Sequence, residues 1–403
     1  MRLSTNLFYQ RGLDSLQTSQ SRLDKIQLQL TKQTKILSPA DDPIGNSQVI
    51  ALDEKIAQNE QFKRNSVTLE NNLAREESVL TNITDAVQRV RTLAVQAGNG
   101  SYDESNRGAL AQEMRDIEKS LFDLANARDE AGEYIFAGYQ NRIQPMEFNK
   151  ATESYEYVSD DGQREIQLSP TLFLPAGDPG STVFGSLSKR VDFELTGGEN
   201  VIEKVNVADR DSLIADTEAR IAAGDSTDFT VTFTSDTEYE ISDGTNTTTG
   251  TVTDGKVSYN GMEFELSQDN PPTAGSSFSY SLGEPVSRNL LTQISDLAAA
   301  LENSGEGSKG FHESEIAFAL DDLDAGVEKL TDTQAKVGAR LNVLENAVLS
   351  NEDFTIVNKK ARADIADVDY STAITDLIKN ETIYSAAQQV FTRVSRLSLF
   401  DYL

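Results

Sequence analysis

The chain has 403 residues, enough for roughly two to four domains, and with 38% apolar residues it can build packed cores. Its formal charge of −29 leaves no basic surface for phosphate and excludes a nucleic-acid partner. Having no Cys, it has no disulfide, thiolate nucleophile or Cys-ligated metal.

The charge is unevenly placed. Residues 140–285 hold 26 acidic against 9 basic residues, whereas residues 1–45 carry 6 basic and 4 acidic. The middle is therefore expected to be a solvated acidic body and the ends to be nearly neutral. The opening residues lack an apolar core of about 7–15 residues, so no cleavable signal peptide is expected. No apolar run approaches the ~20 residues of a membrane span, so no membrane insertion is expected.

From Ser4 to about Leu37, Leu16, Leu23, Leu30 and Leu37 recur every seven residues, with Leu13 and Ile26 beside them, which predicts one striped helix. Its other faces are rich in Gln and Ser and poor in charge. Ser38 to Gly45 is a predicted joint: Pro39 interrupts the helix, Asp42 suits an N-cap, and Pro43 suits the first helical position. A second helix runs to about Ala97, with Leu69, Leu73, Leu80, Ile83, Val87, Val90 and Ala94 at coiled-coil spacing and Glu76 as the single polar interruption. A third, about Asp103 to Ala131, carries Leu110, Met114, Ile117, Leu121 and Leu124, and the two are expected to form an antiparallel hairpin.

After Gly138 the pattern changes to β-branched and aromatic segments between Gly, Asp and Asn turns: Ser154–Val158, Arg164–Leu168, Phe229–Phe233, Glu238–Ile241, Lys256–Tyr259 and Glu263–Leu266. A weak helix, Ser212–Ala223, crosses this region. Helix returns at about Val286. From Ile316 the spacing is clean through Leu320, Leu323, Val327, Leu330, Gln334, Val337, Leu341, Leu344 and Val348. A final helix, about Ile365 to Leu399, carries Leu377, Tyr384 and Phe391 seven apart, with Ala387, Val394 and Leu397 beside them.

The expected fold is α+β and multidomain: elongated, with coiled-coil-like terminal helical arms and a helical bundle carrying an inserted β-rich domain. The expected boundaries are residues 1–45 and 353–403 for the arms, 46–190 and 286–352 for the bundle with a β-hairpin region, and 191–285 for the insert.

Chemical sites compare poorly with plainer explanations. Asp41-Asp42 could be a metal or acid/base pair, but flanking prolines favour helix capping. His312, the only histidine, has no companion ligand. Asp160-Asp161-Gly162 lacks the closing Glu of a Ca²⁺ loop and suits a turn. No catalytic, cofactor or metal site is expected, and the chain is expected not to be an enzyme. The arms differ from the inner heptads, because two helices alone bury too little surface to offset their ordering entropy. Leu16, Leu23, Leu30, Leu377, Tyr384, Phe391 and Val394 are the expected subunit-packing residues, with arms that are mobile when free and ordered on assembly.

Several segments together resemble the flagellin and hook-associated family of bacterial flagella: Ser4-Thr5-Asn6, the Gln-rich leucine arm, Ser38-Pro39-Ala40-Asp41-Asp42-Pro43, Gly338-Ala339-Arg340-Leu341-Asn342, and Asp364 through Tyr370. Gly132 to Gly138, Pro179 to Phe184, and the closing Gln388 to Leu403 are similar to the members that join hook to filament. The resemblance implies an extracellular structural subunit exported through the flagellar type III channel. It implies ring assembly with copies of itself, and contact with hook-associated protein 1 and flagellin. It also implies an export chaperone covering the C-terminal helix at Tyr384, Phe391, Val394 and Leu397. The alternatives are a filament-building flagellin, or a glycan- or host-binding module carried by the insert, whose Tyr239, Tyr259, Phe278 and Tyr280 are otherwise strand core.

Overall fold

The computed structural model describes residues 2–98, 103–302 and 311–400. The chain divides into two compact units: Met1–Ser66, Gln167–Leu172 and Glu345–Leu403 in the first, Val67–Ile166 and Phe173–Leu344 in the second. Among the described residues the helices are α1 (Arg2–Lys32), α2 (Pro43–Ala97), α3 (Glu104–Ala125), α4 (Gly180–Phe184), α5 (Arg210–Ala223), α6 (Leu290–Glu302), α7 (Phe311–Ala366) and α8 (Tyr370–Phe400).

In the first unit α1 packs along α8. Tyr9 meets Phe391 and Thr34 bridges to Asp367, so the two helices run antiparallel. α1 stops at Lys32, short of the expected Leu37, because Gln33 takes a left-handed φ of 58° and releases Thr34 to pair with Asp367. The expected final helix from Ile365 is also corrected. α7 continues to Ala366, and α8 starts afresh at Tyr370, where Asp369 Oδ1 accepts the Ser371 amide at 3.0 Å and Oδ2 accepts the Thr372 hydroxyl at 2.7 Å.

In the second unit the α2 stripe Leu69, Leu73, Leu80, Ile83, Val87, Val90 and Ala94 is fully buried. On α3 the expected Met114 and Leu121 are buried, but Ala111, Glu118 and Ala125 take the other buried positions, and Leu110, Ile117 and Leu124 are only half-buried. α3 packs on α6, and Arg115 of α3 donates to Ser295 Oγ at 2.8 Å and pairs with Glu302 of α6. α3 also ends at Ala125, short of Ala131, where the Asn126 amide bonds back to Phe122 and Leu124. On α7 the heptad splits: Ile316, Leu323, Leu330, Val337 and Leu344 are buried, while Leu320, Val327, Gln334 and Leu341 are half-buried.

Strands Ser188–Arg190 and Val286–Arg288 pair antiparallel and lead into and out of a β-rich region. A five-stranded antiparallel sheet runs in the order Thr247–Thr251, Glu238–Ser242, Asp228–Phe233, Ser277–Leu282, Phe193–Gly197. A three-stranded sheet runs Lys256–Tyr259, Met262–Leu266, Ile202–Val207. Phe229, Phe233, Phe264, Phe278 and Tyr280 share one core with Leu213 of α5. Register places Tyr280 opposite both Phe229 and Leu195, and the Phe229 and Tyr280 rings stack at 5.0 Å. Val286–Arg288 is thus strand, and helix resumes at Leu290.

Candidate assembly surface

The joint is built from two adjacent carboxylates with separate tasks. Asp41 Oδ1 accepts the Lys25 ammonium at 2.6 Å, and its Oδ2 accepts the amides of Leu37 and Ser38 at 3.2 and 3.0 Å. The Lys25 hydrogen bond, with the Ser38 amide behind it, holds the Asp41 carboxyl below its usual range. Asp42 Oδ1 accepts the Gly45 amide at 2.9 Å and its carbonyl accepts the Asn46 amide at 2.8 Å, with Pro43 as the first residue of α2. Pro39 is exposed in the turn before them. A Cβ at Gly45 would stand 2.3 Å from Asp42 Oδ2 and 3.1 Å from Ile36 Cδ1, so a side chain there would displace the capping carboxylate.

Below the joint, the segment that follows α1 is tied to the end of α7 and the α7–α8 turn by backbone and side chain. The Lys35 amide donates to the Ala366 carbonyl at 2.8 Å, the Thr34 hydroxyl donates to the same oxygen at 2.9 Å, and the Val368 amide reaches Gln33 at 3.3 Å. Nearer the termini, Phe391 lies over Gly12, whose absent side chain leaves room for the ring, and its centroid is 5.0 Å from that of Tyr9.

Leu16, Leu23 and Leu30 of α1 and Leu377, Tyr384 and Phe391 of α8 are all half-buried. The side chains of Val394 and Leu397 lie outside the described residues, as does that of His312. The heptads do not mark all of the apolar surface. Leu7, Leu13 and Leu28 of α1, and Tyr370, Ile374, Ile378, Ile383 and Val390 of α8, are exposed, as are Ile44 and Ile50 of α2 and Phe354, Ile356 and Val357 of α7. Apart from Tyr370, seven residues before Leu377, these positions lie off the seven-residue stripes. The signal for them was in the sequence: α8 has apolar residues on more sides than one partner helix can cover. On α8, Tyr370, Ile374 and Ile378 follow at four-residue spacing, which puts three exposed apolar side chains along one face.

Chemistry finds little purchase elsewhere. Asp160 accepts the amides of Tyr139, Gln140 and Gly162 through its two oxygens, which makes it a turn-former. Tyr239, Phe278 and Tyr280 are sealed in the insert core, with Tyr259 partly buried against it, so they offer no stacking platform for a sugar. Among the described residues no helix is long and apolar enough to cross a membrane.

Residues 3–141 match the bacterial flagellin N-terminal helical region, and residues 320–403 match the bacterial flagellin C-terminal helical region. Flagellar hook-associated protein 3 of Salmonella typhimurium is 31% identical over 200 residues, covering 50% of this chain and 62% of that protein. The chain therefore spans just under two thirds of that relative. The protein of the same name from Escherichia coli K12 is 24% identical over 405 residues, covering 100% of this chain and 99% of its own length. The crystal structure of Xanthomonas campestris FlgL, 26% identical, superposes with a TM-score of 0.57 over 77% of this chain and 99% of that one. Flagellar hook associated protein-3 of Legionella pneumophila, 24% identical, shares the fold with a TM-score of 0.60 over 79% of this chain and 98% of its own.

Proposed function

The chain belongs to the bacterial flagellin family, and on that premise we propose that it is the structural subunit joining the flagellar hook to the filament. The observation that carries this is the likeness to hook-associated protein 3 along its whole length, insert included. A filament-building flagellin is less favoured, since the flagellin relative from Listeria innocua is 25% identical over only 54% of this chain.

The subunit works by packing, not by chemistry. Copies of the chain assemble through the first unit, where the Leu16–Leu23–Leu30 and Leu377–Tyr384–Phe391 faces and the exposed apolar residues beside them supply the contacts. Hook-associated protein 1 on one side and flagellin on the other are the neighbours in this proposal. Before assembly the same apolar helix needs cover, and an export chaperone on α8 at Tyr384, Phe391, Val394 and Leu397 would supply it. Export through the flagellar channel and an extracellular location complete the proposal. Neither needs a cofactor or a metal.

Deleting the gene in its own bacterium tests this. Intact hooks with unpolymerised flagellin shed into the medium are expected. Loss of flagellin itself, with hooks intact, would identify the chain as the filament subunit instead.

A further inference from the structure

Glu76 interrupts the apolar stripe of α2, yet it is 0% exposed. Its Oε1 accepts the Asp178 amide at 2.9 Å, while Oε2 is sealed from solvent with no hydrogen-bond partner. Asp178, in the 176–179 loop, is itself only 3% exposed. Its carboxylate is gripped by both terminal nitrogens of Arg340 on α7, at 2.8 and 2.9 Å, and by Gln163 at 2.7 Å. Two buried carboxyl groups thus face one guanidinium, and that guanidinium is engaged by Asp178. An ionised Glu76 would be a buried anion next to another, with its countercharge already bonded elsewhere.

The charged groups acting on Glu76 are Asp178 from the loop and Arg340 from α7. Nearby cations are paired outward: Arg75, its neighbour on α2, with Glu130, and Arg164 with Glu133. We propose that Glu76 is a protonated latch: as a neutral acid it ties α2 to the 176–179 loop and, through Asp178 and Arg340, to α7, and its ionisation in alkaline surroundings loosens that junction. Burial first, and the Asp178 carboxylate second, push the Glu76 carboxyl up to about 8. Its ordinary value is 4.5. Between those two values the folded chain holds a proton that the unfolded chain has released, so the stability contributed by this group falls as pH rises and is lost above about 8.

The test compares the full-length wild-type chain with Glu76→Gln, an uncharged isostere of the protonated acid, by thermal melting from about pH 5 to about pH 9. The wild-type melting temperature should fall more steeply with pH, leaving the variant the more stable of the two at the alkaline end. Parallel profiles would overturn the latch. If the variant does not fold, wild-type chain labelled with ¹³C at glutamate carboxyls decides. One carboxyl resonance titrating near pH 8 supports the proposal. Complete ionisation of every glutamate by about pH 6 refutes it.

Discussion

In the second unit Phe264, Phe278 and Tyr280 are sealed in a single core with Leu213, whereas in the first unit Ile356, Ile378 and Val390 stand mostly in solvent. Large fully buried side chains concentrate in the second unit; among the described residues the first offers Phe62 and Leu168 with a few alanines. Burying a Leu, Ile or Phe side chain contributes about 1.5–3 kcal/mol. The second unit collects that contribution within one chain. The first leaves much of it uncollected, and a neighbouring subunit can supply it. One molecule thus carries a region that buries its large apolar side chains and a region that leaves many of them exposed, the surface the proposed assembly would cover, and the boundary can be tested residue by residue.

The largest effect on the free chain is expected in the insert core. Phe278→Ala should destabilise the second unit by about 3–5 kcal/mol in chemical denaturation, and a loss below about 1 kcal/mol would mean that this core is not tightly packed. Next comes the joint. Asp42→Ala removes the acceptor of the Gly45 amide and should cost about 0.5–2 kcal/mol, seen as faster amide exchange at the start of α2. Arg362→Ala breaks an exposed pair with Asp53 at 2.6 Å and should cost about 0.2–1 kcal/mol. Smallest of all, Ile378→Ser should shift free-chain stability by no more than about 0.5 kcal/mol. The same substitution should nevertheless impair filament formation when the variant replaces the wild type in cells. A variant that swims normally would remove Ile378 from the assembly surface.

Much of the helical framework is legible in the residues themselves. The α2 stripe is a local pattern of Leu, Ile and Val and is buried throughout, and on α7 the line Ile316, Leu323, Leu330, Val337 and Leu344 is buried while its companion line is only half so. Features set by distant partners are not legible. Nothing near Asp367 breaks a helix by composition, since neither Gly nor Pro is present; the break between α7 and α8 is fixed by Thr34, Lys35 and Gln33 across the fold. Strand Thr247–Thr251 is an exposed edge and has no apolar alternation to betray it. Glu76 stands out as a polar residue in an apolar stripe, but its partners Asp178 and Arg340 lie on other elements. The apolar residues on the arms split in the same way. The Leu16 and Leu377 stripes are visible as periods of seven, while Ile374, Ile378 and Val390 show in the sequence only as apolar residues beyond one stripe, and which of them stay exposed is set by the folded chain.

The contrast between the two units is tested most directly by hydrogen exchange on the chain, free and then assembled with hook-associated protein 1 and flagellin. The expected result is weak protection of α1 and α8 in the free chain that rises strongly on assembly, with the strands around Phe278 and Tyr280 equally protected in both. Protection of Leu16 to Leu30 already at its full value in the free chain, unchanged by assembly, would contradict an assembly role for the arms.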